Sequence, residues 1–402
     1  MPHFLRHSQL RYDLFPPHLR LMFFGSLLRT LADLFVGTFA PLFLFGIGKN
    51  LPLFAPLHLT PFVAGMMLIA LYYGAQRLSI LLLSFPVAQV IARIGYVWSM
   101  VVGLLCLTVV FVSYHFASAD PRFLIPAFLG GALDLLFFWT THDAVFAREV
   151  NVKQIGRGVG ALAFLTQMLQ IAAPAVAGIL IVTFGFTAVF LIGIACALLA
   201  CIPFLLLPRF AMPSVPTPND FFKQFKDPLF RQFSIGVVGK YMDTIAVLLW
   251  PVYILVIVGQ IDRVGFFFSL VLFSTLILTY IAGWYVDHKR KGKAFYVSGV
   301  FVSCAWILRL FAQNVFALFG IEMMDKLASS FYSPCFDAYM CERSKGKRVY
   351  SFYFYREVIF SIVAVFLWSG IIGLFLLPVG WAAIFLFGAV GVLLSLAIER
   401  RA

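Results

Sequence analysis

Apolar residues occur along this chain in long runs, and short polar stretches separate them. Each run is long enough to cross the ~30 Å hydrocarbon core of a bilayer as a helix, which takes about 20 residues. The pattern predicts spans at 21–47, 61–91, 97–117, 122–147, 159–183, 187–207, 233–258, 264–286, 294–312, 315–340, 350–376 and 380–398. The period-two alternation of a transmembrane strand is absent. The expected class is therefore an all-α polytopic membrane protein with twelve transmembrane helices. The longest segment without an apolar run, Pro208 to Gln232, starts Pro-rich and ends amphipathic, as a linker does. It divides the chain into a bundle at 1–207, a linker at 208–232 and a second bundle at 233–402.

Composition points the same way. Of 402 residues, 62% are hydrophobic and 12% charged, where a soluble domain carries roughly 25% charged residues. Too little polar surface exists to face water, so lipid is the solvent. The net charge of +13 is unevenly placed. With the N-terminus inside, most Lys and Arg fall in inner segments, and the loops at Lys49, Arg122 and Arg263 are poor in them. By the positive-inside rule both termini are cytoplasmic. The densest inner loop reads GWYVDHKRKGK, Gly283 to Lys293. The positive excess is thus a topology signal, and no water-soluble basic face exists to bind nucleic acid.

Enzyme chemistry has no foothold in the pattern. The six Cys lie in apolar spans or at their ends without CxxC spacing, and the seven His form no metal-binding pair. No nucleophile motif or phosphate loop occurs, and the inner segments are too short for a catalytic domain. No enzyme activity, cofactor or metal is expected, and no cleaved signal segment is evident.

The chain also repeats itself. AQVIARIGY (Ala88–Tyr96) aligns with GWYVDHKRK, and HDAVFARE (His142–Glu149) aligns with FDAYMCER (Phe336–Arg343). Gly25, Arg29, Asp33 and Pro41 of span 1 align with Gly236, Lys240, Asp243 and Pro251 of span 7. A six-span unit used twice, with a site between the copies, is a transporter architecture.

These residues resemble the major facilitator superfamily of transporters. Its signature after span 2, Gly-x-x-x-Asp-Arg/Lys-x-Gly-Arg/Lys-Arg/Lys, is echoed after span 8. Here the echo is the better copy, with Gly283, Asp287 and the basic run from Lys289 to Lys293. In the first copy Ala88 and Ala92 replace Gly and Asp, and Arg93 and Gly95 remain. Arg157, Gly158 and AAPAVAG (Ala172–Gly178) resemble span 5 of the family's antiporters. The resemblance implies two pseudo-symmetric six-helix bundles and a cytoplasmic gate at Gly283, Asp287, Arg93 and Arg157. In that gate Asp287 faces the positive helix start near Arg157.

Ionisable groups inside spans cost ~2.5–3.5 kcal/mol each unless paired or facing water. Those well inside are Arg29, Asp33, Arg77, Asp134, Lys240, Asp243, Arg309, Glu322, Asp325, Lys326, Arg356 and Glu357. Asp143 and Asp337, near inner span ends, are grouped with the inner segments. Arg29/Asp33 and Lys240/Asp243 each share a helix face. In Arg356/Glu357 one member is expected to face the cavity, since neighbours point ~100° apart. Arg309, near an outer span end, is expected to snorkel to the interface. The other eleven form the expected substrate or proton pathway, with Asp33, Asp134, Asp243 and Asp325 as proton carriers.

The expected function is secondary transport by alternating access, as proton-coupled efflux of a small amphipathic or drug-like molecule. The alternative is proton-coupled uptake of a charged metabolite such as an organic anion. The expected setting is a prokaryotic inner membrane, with the protein a monomer in the lipid bilayer. The sidedness is directly testable. A green fluorescent protein fused after Ala402 should fluoresce, and alkaline phosphatase there should be inactive. Phosphatase inserted after Asn50 should be active. The reverse pattern would invert the topology.

Overall fold

The computed structural model describes residues 17–149, 156–208, 215–288, 291–312, 314–344, 349–377 and 380–399, and their side chains except at 17, 147–149, 156–165, 277–288, 291, 341 and 344. The described residues form helices and short connections, with no strand among them. Among the described residues nine helical stretches are long and apolar enough to cross a membrane. One of them, Pro61–Ala117, has 57 residues. At 1.5 Å per residue that is about 85 Å, far more than one crossing. It breaks at Gly95, whose φ of 80° and ψ of 169° leave the helical region. Glycine adopts that conformation readily because it has no Cβ. The glycine retained from the signature loop is thus the residue that turns span 2 into span 3.

Two further helices, Ile261–His288 and Val315–Ser344, bring the spans to twelve. Span 1 is Pro17–Val36 continued by Ala40–Lys49. Span 4 runs from Leu124–Asp134 through a π-helical turn, Leu135–Trp139, into Thr140–Glu149. Spans 5 and 6 are Gly156–Phe184 and Phe186–Leu205, and span 7 is Pro228–Val258. Ile261–His288 is span 8, Lys291–Leu308 span 9 and Val315–Ser344 span 10. Span 11 is Val349–Leu376, and Gly380–Ser395 is span 12. A short linker helix, Pro218–Gln224, is capped by the Thr217 hydroxyl, which accepts from the Asp220 amide.

The spans form two six-helix bundles that meet along two seams. Span 2 packs along span 11, and span 5 along span 8. The seams rest on small residues and stacked rings. A Cβ on Gly265 of span 8 would collide with the Pro174 carbonyl of span 5, and one on Gly178 would press on Asp262. The Ser269 hydroxyl accepts a hydrogen bond from the Ala175 amide at 3.0 Å. The AAPAVAG segment is therefore a contact strip between the bundles. On the other seam Tyr73 stacks on Trp368 at 5.5 Å.

One end of the molecule carries the connections after spans 2, 4, 6, 8 and 10, and is called the basic end below. Here Phe85 meets Phe354 and Tyr96 meets Tyr350 across the bundles. At the distal end Phe62 meets Phe375 and Trp381, and the second part of span 1 packs on span 7.

Candidate functional site

Among the described residues the interior charges other than Asp337 are gathered into four sets of ion pairs. In the first bundle, span 1 opens at Gly37–Phe39 because Pro41 has no amide to offer the Gly37 carbonyl. One turn before that break lies Asp33, and Arg29 lies a turn before Asp33. Facing them, span 4 widens into its π turn directly after Asp134. Such turns mark functional sites in many helices. The wide turn brings both Phe138 and Trp139 under the Arg29 guanidinium, at 4.3 and 5.0 Å. Arg29 donates to Asp134 at 2.8 Å and stands 3.7 Å from Asp33. The expected i, i+4 pair is thus the weaker contact, and the interhelical partner is the closer one. Arg29 and Asp134 are buried, whereas the Asp33 side chain keeps 40% exposure. Asp134 Oδ1 and the Arg29 Nε and Nη1 atoms have no hydrogen-bond partner among the described residues.

In the second bundle, Lys240 donates to Asp243 at 2.9 Å, as the i, i+3 spacing predicts. The indole N–H of Trp306 donates to the other Asp243 oxygen at 3.0 Å. Lys240 also lies 4.6 Å from the Tyr332 ring. Nearer the distal end Arg309 donates to Glu322 at 2.7 Å and to Asp325 at 3.1 Å. Trp250 and Trp306 flank its guanidinium at 4.1 and 3.8 Å. The expectation that Arg309 snorkels is therefore wrong. Its side chain is 1% exposed, because two carboxylates one helical turn apart draw it inward rather than toward the interface. Lys326 completes this set, 3.5 Å from Glu322.

The fourth set joins the bundles. Arg77 of span 2 donates to Glu357 of span 11 at 3.1 Å, with the Tyr241 ring 4.9 Å from its guanidinium. Arg356 donates to Glu357 at 2.9 Å and to Asp143 of span 4 at 3.0 Å. Both members of the Arg356/Glu357 pair take part, contrary to the expectation that only one would. The Arg356 side chain is long enough to reach around the helix to its neighbour. Asp143 in turn sits 3.4 Å from His142, whose Nε2 shares a hydrogen bond with Ser26 of span 1.

Sequence reading grouped Asp143 and Asp337 with the inner loops and so missed them. The signal was present, since they are the equivalent Asp residues of HDAVFARE and FDAYMCER. Asp337 is exposed, and the charges of Lys240, Arg356 and Asp143 reach it. It forms no ion pair or hydrogen bond among the described residues. Of the expected gate, Arg93 is exposed at the basic end. Gly283, Asp287 and Arg157 lie on described helices, but their side chains fall outside the described residues. No group of three metal-ligating side chains occurs among the described residues.

No protein-family model matches the sequence, and no curated protein does. Solved structures match over nearly the whole chain. A D-xylose–proton symporter aligns with a TM-score of 0.63 and 14% identity, over 95% of this chain and 96% of that one. The human organic anion transporter MFSD10 (TETRAN) gives 0.67 and 14%, over 96% and 100%. A bacterial homologue of the iron transporter ferroportin, in an inward-facing state, gives 0.63 and 15%, over 94% and 98%. At such identities the likeness is one of fold.

Breaking a buried ion pair by removing one partner costs about 3–5 kcal/mol, since the other charge stays buried. Glu357→Gln should therefore loosen the join between bundles at the basic end. Spin labels at Val90 and Lys293, on a background without native cysteines, should read a longer and broader distance distribution in the variant. An unchanged distribution would mean that the pair does not hold the bundles together.

Proposed function

Starting from the fold of the major facilitator superfamily in an integral membrane protein, we propose that this chain is a proton-coupled secondary transporter. It works by alternating access and exports a small amphipathic molecule. The observation that carries this reading is the ion-pair set between the bundles, Arg77–Glu357 and Arg356–Asp143. All other interior pairs among the described residues lie within one bundle and can persist as the bundles rock. These two must part whenever the basic end opens. A charge set in the membrane interior that is tied to one conformation is what coupling requires, since a proton or a charged ligand can then bias the equilibrium.

The basic end is assigned to the cytoplasm by its Lys and Arg. The gate proposed for this end sets Asp287 against the start of span 5, near Arg157. The proton carriers are Asp33 and Asp134. Asp33 has an open face and only a distant claim on Arg29, and Asp134 has one oxygen without a partner. Asp243 and Asp325 are held by Lys240, Trp306 and Arg309 and act as fixed counter-charges. A carboxylate that takes a proton on one side releases it on the other after the bundles rock. Gln167 and Gln170, half-buried in span 5, would supply hydrogen bonds to a substrate.

The test uses purified protein in liposomes with a pH-sensitive dye inside and the membrane potential clamped. Drug-like cations, organic anions, sugars and peptides are added outside in turn, without a pH gradient. Antiport predicts that a transported compound makes the lumen more alkaline, and that Asp33→Asn abolishes the signal. Lumen acidification would replace efflux with coupled uptake. No response to any compound, from folded protein, would contradict proton coupling.

A further inference from the structure

The interior carries more carboxylates than cations, and the geometry shows which ones are left over. Every interior cation among the described residues is engaged. Arg29 holds Asp134, and Lys240 holds Asp243. Arg309 and Lys326 hold Glu322 and Asp325. Arg77 and Arg356 hold Glu357 and Asp143. Each of these sets balances, two charges against two or one against one. Asp33 and Asp337 remain. Asp33 reaches only a guanidinium nitrogen that already donates to Asp134 at 2.8 Å. Asp337 has no ion pair among the described residues, and its side chain is open.

The two differ in place. Asp33 lies at the middle of span 1, at the break before Ala40, and Asp337 lies about two turns from the basic end of span 10. They also belong to different bundles. Near each one aromatic rings are already positioned around a cation: Trp139 and Phe138 at Arg29, Tyr332 and Phe336 at Lys240. A third, independent sign is buried Asp134 Oδ1, next to Asp33, which has no donor.

Resting on the transporter reading above, we propose that the substrate is an organic cation and that Asp33 and Asp337 are its two carboxylate stations. An anion would find no free cation among the described interior residues. It would have to break an existing pair and leave a carboxylate buried beside it, which is costly in a low-dielectric interior. A cation meets two open carboxylates instead. An entrant from the basic end meets Asp337 first and Asp33 deeper in. Because Asp33 also serves as a proton carrier, cation and proton exclude one another there, and exchange follows from that competition.

The experiment measures saturable binding of radiolabelled tetraphenylphosphonium to the purified full chain, with tetraphenylborate as the anion of matching shape. The expected result is specific binding of the phosphonium and none of the borate. Asp33→Asn and Asp337→Asn should each weaken it by about tenfold or more, as loss of a buried charge partner does. Asp33→Glu and Asp337→Glu, which keep the carboxylate, should retain most of it, separating a binding role from a folding role. Asp220→Asn, on the linker helix, should bind as the parent does. Preference for the borate, absence of saturable phosphonium binding, or unchanged binding in both Asn variants would overturn the inference. The transport reading is judged separately, because the liposome assay also contains anions, sugars and peptides.

Discussion

A charge inside hydrocarbon must find an opposite charge or water, and this one constraint organises the molecule. Arg309 shows its strength. Placed near a span end, where it had room to reach the interface, it instead turns inward to Glu322 and Asp325 between two indole rings. The irregular backbone follows the same need. The break in span 1 and the π turn in span 4 flank Arg29 and Asp134. Regular helices would not bring Phe138 and Trp139 together under that guanidinium.

The pairs fall into two kinds with different consequences. Those within a bundle stiffen it, so that each bundle can move as a body. Those between bundles hold one arrangement of the two bodies, and they share the seam with contacts of a softer sort. Glycine and proline backbone at Gly265 and Pro174, and the stacked Tyr73 and Trp368, carry no charge that rocking would leave unpaired. The ionic contacts do not allow it. Parting Arg356 from Asp143 leaves a carboxylate that water, a proton or a ligand cation must satisfy. On the proposed function, energy from ligand or proton binding is thereby converted into the position of the bundles.

The architecture was largely legible in the sequence, because in lipid each backbone must satisfy its own polar groups and helices are the economical way to do so. The repeat pairing Arg29/Asp33 with Lys240/Asp243 was also visible, although the shared spacing hides a difference. In span 7 the neighbour is the partner, while in span 1 the partner is Asp134, from another helix. Pairing across helices depends on rotation and depth, which spacing along one helix does not encode. Asp143 and Asp337 escaped for a related reason. Near a span end, a carboxylate reads as loop until the neighbouring helix places Arg356 beside it. The basic run after Asp287 was legible as a side marker.

The most direct test of the account is a double-mutant cycle on the join itself. Asp143→Asn, Arg356→Gln and their combination would be compared by spin-label distances between Val90 and Lys293, with opening at the basic end as the readout. Each single change should favour opening, and the pair should do little more than the larger single, a coupling of about 1 kcal/mol or more. Simple addition of the two effects would contradict it, because the residues would then act independently and the ion pair would not be what holds the bundles closed.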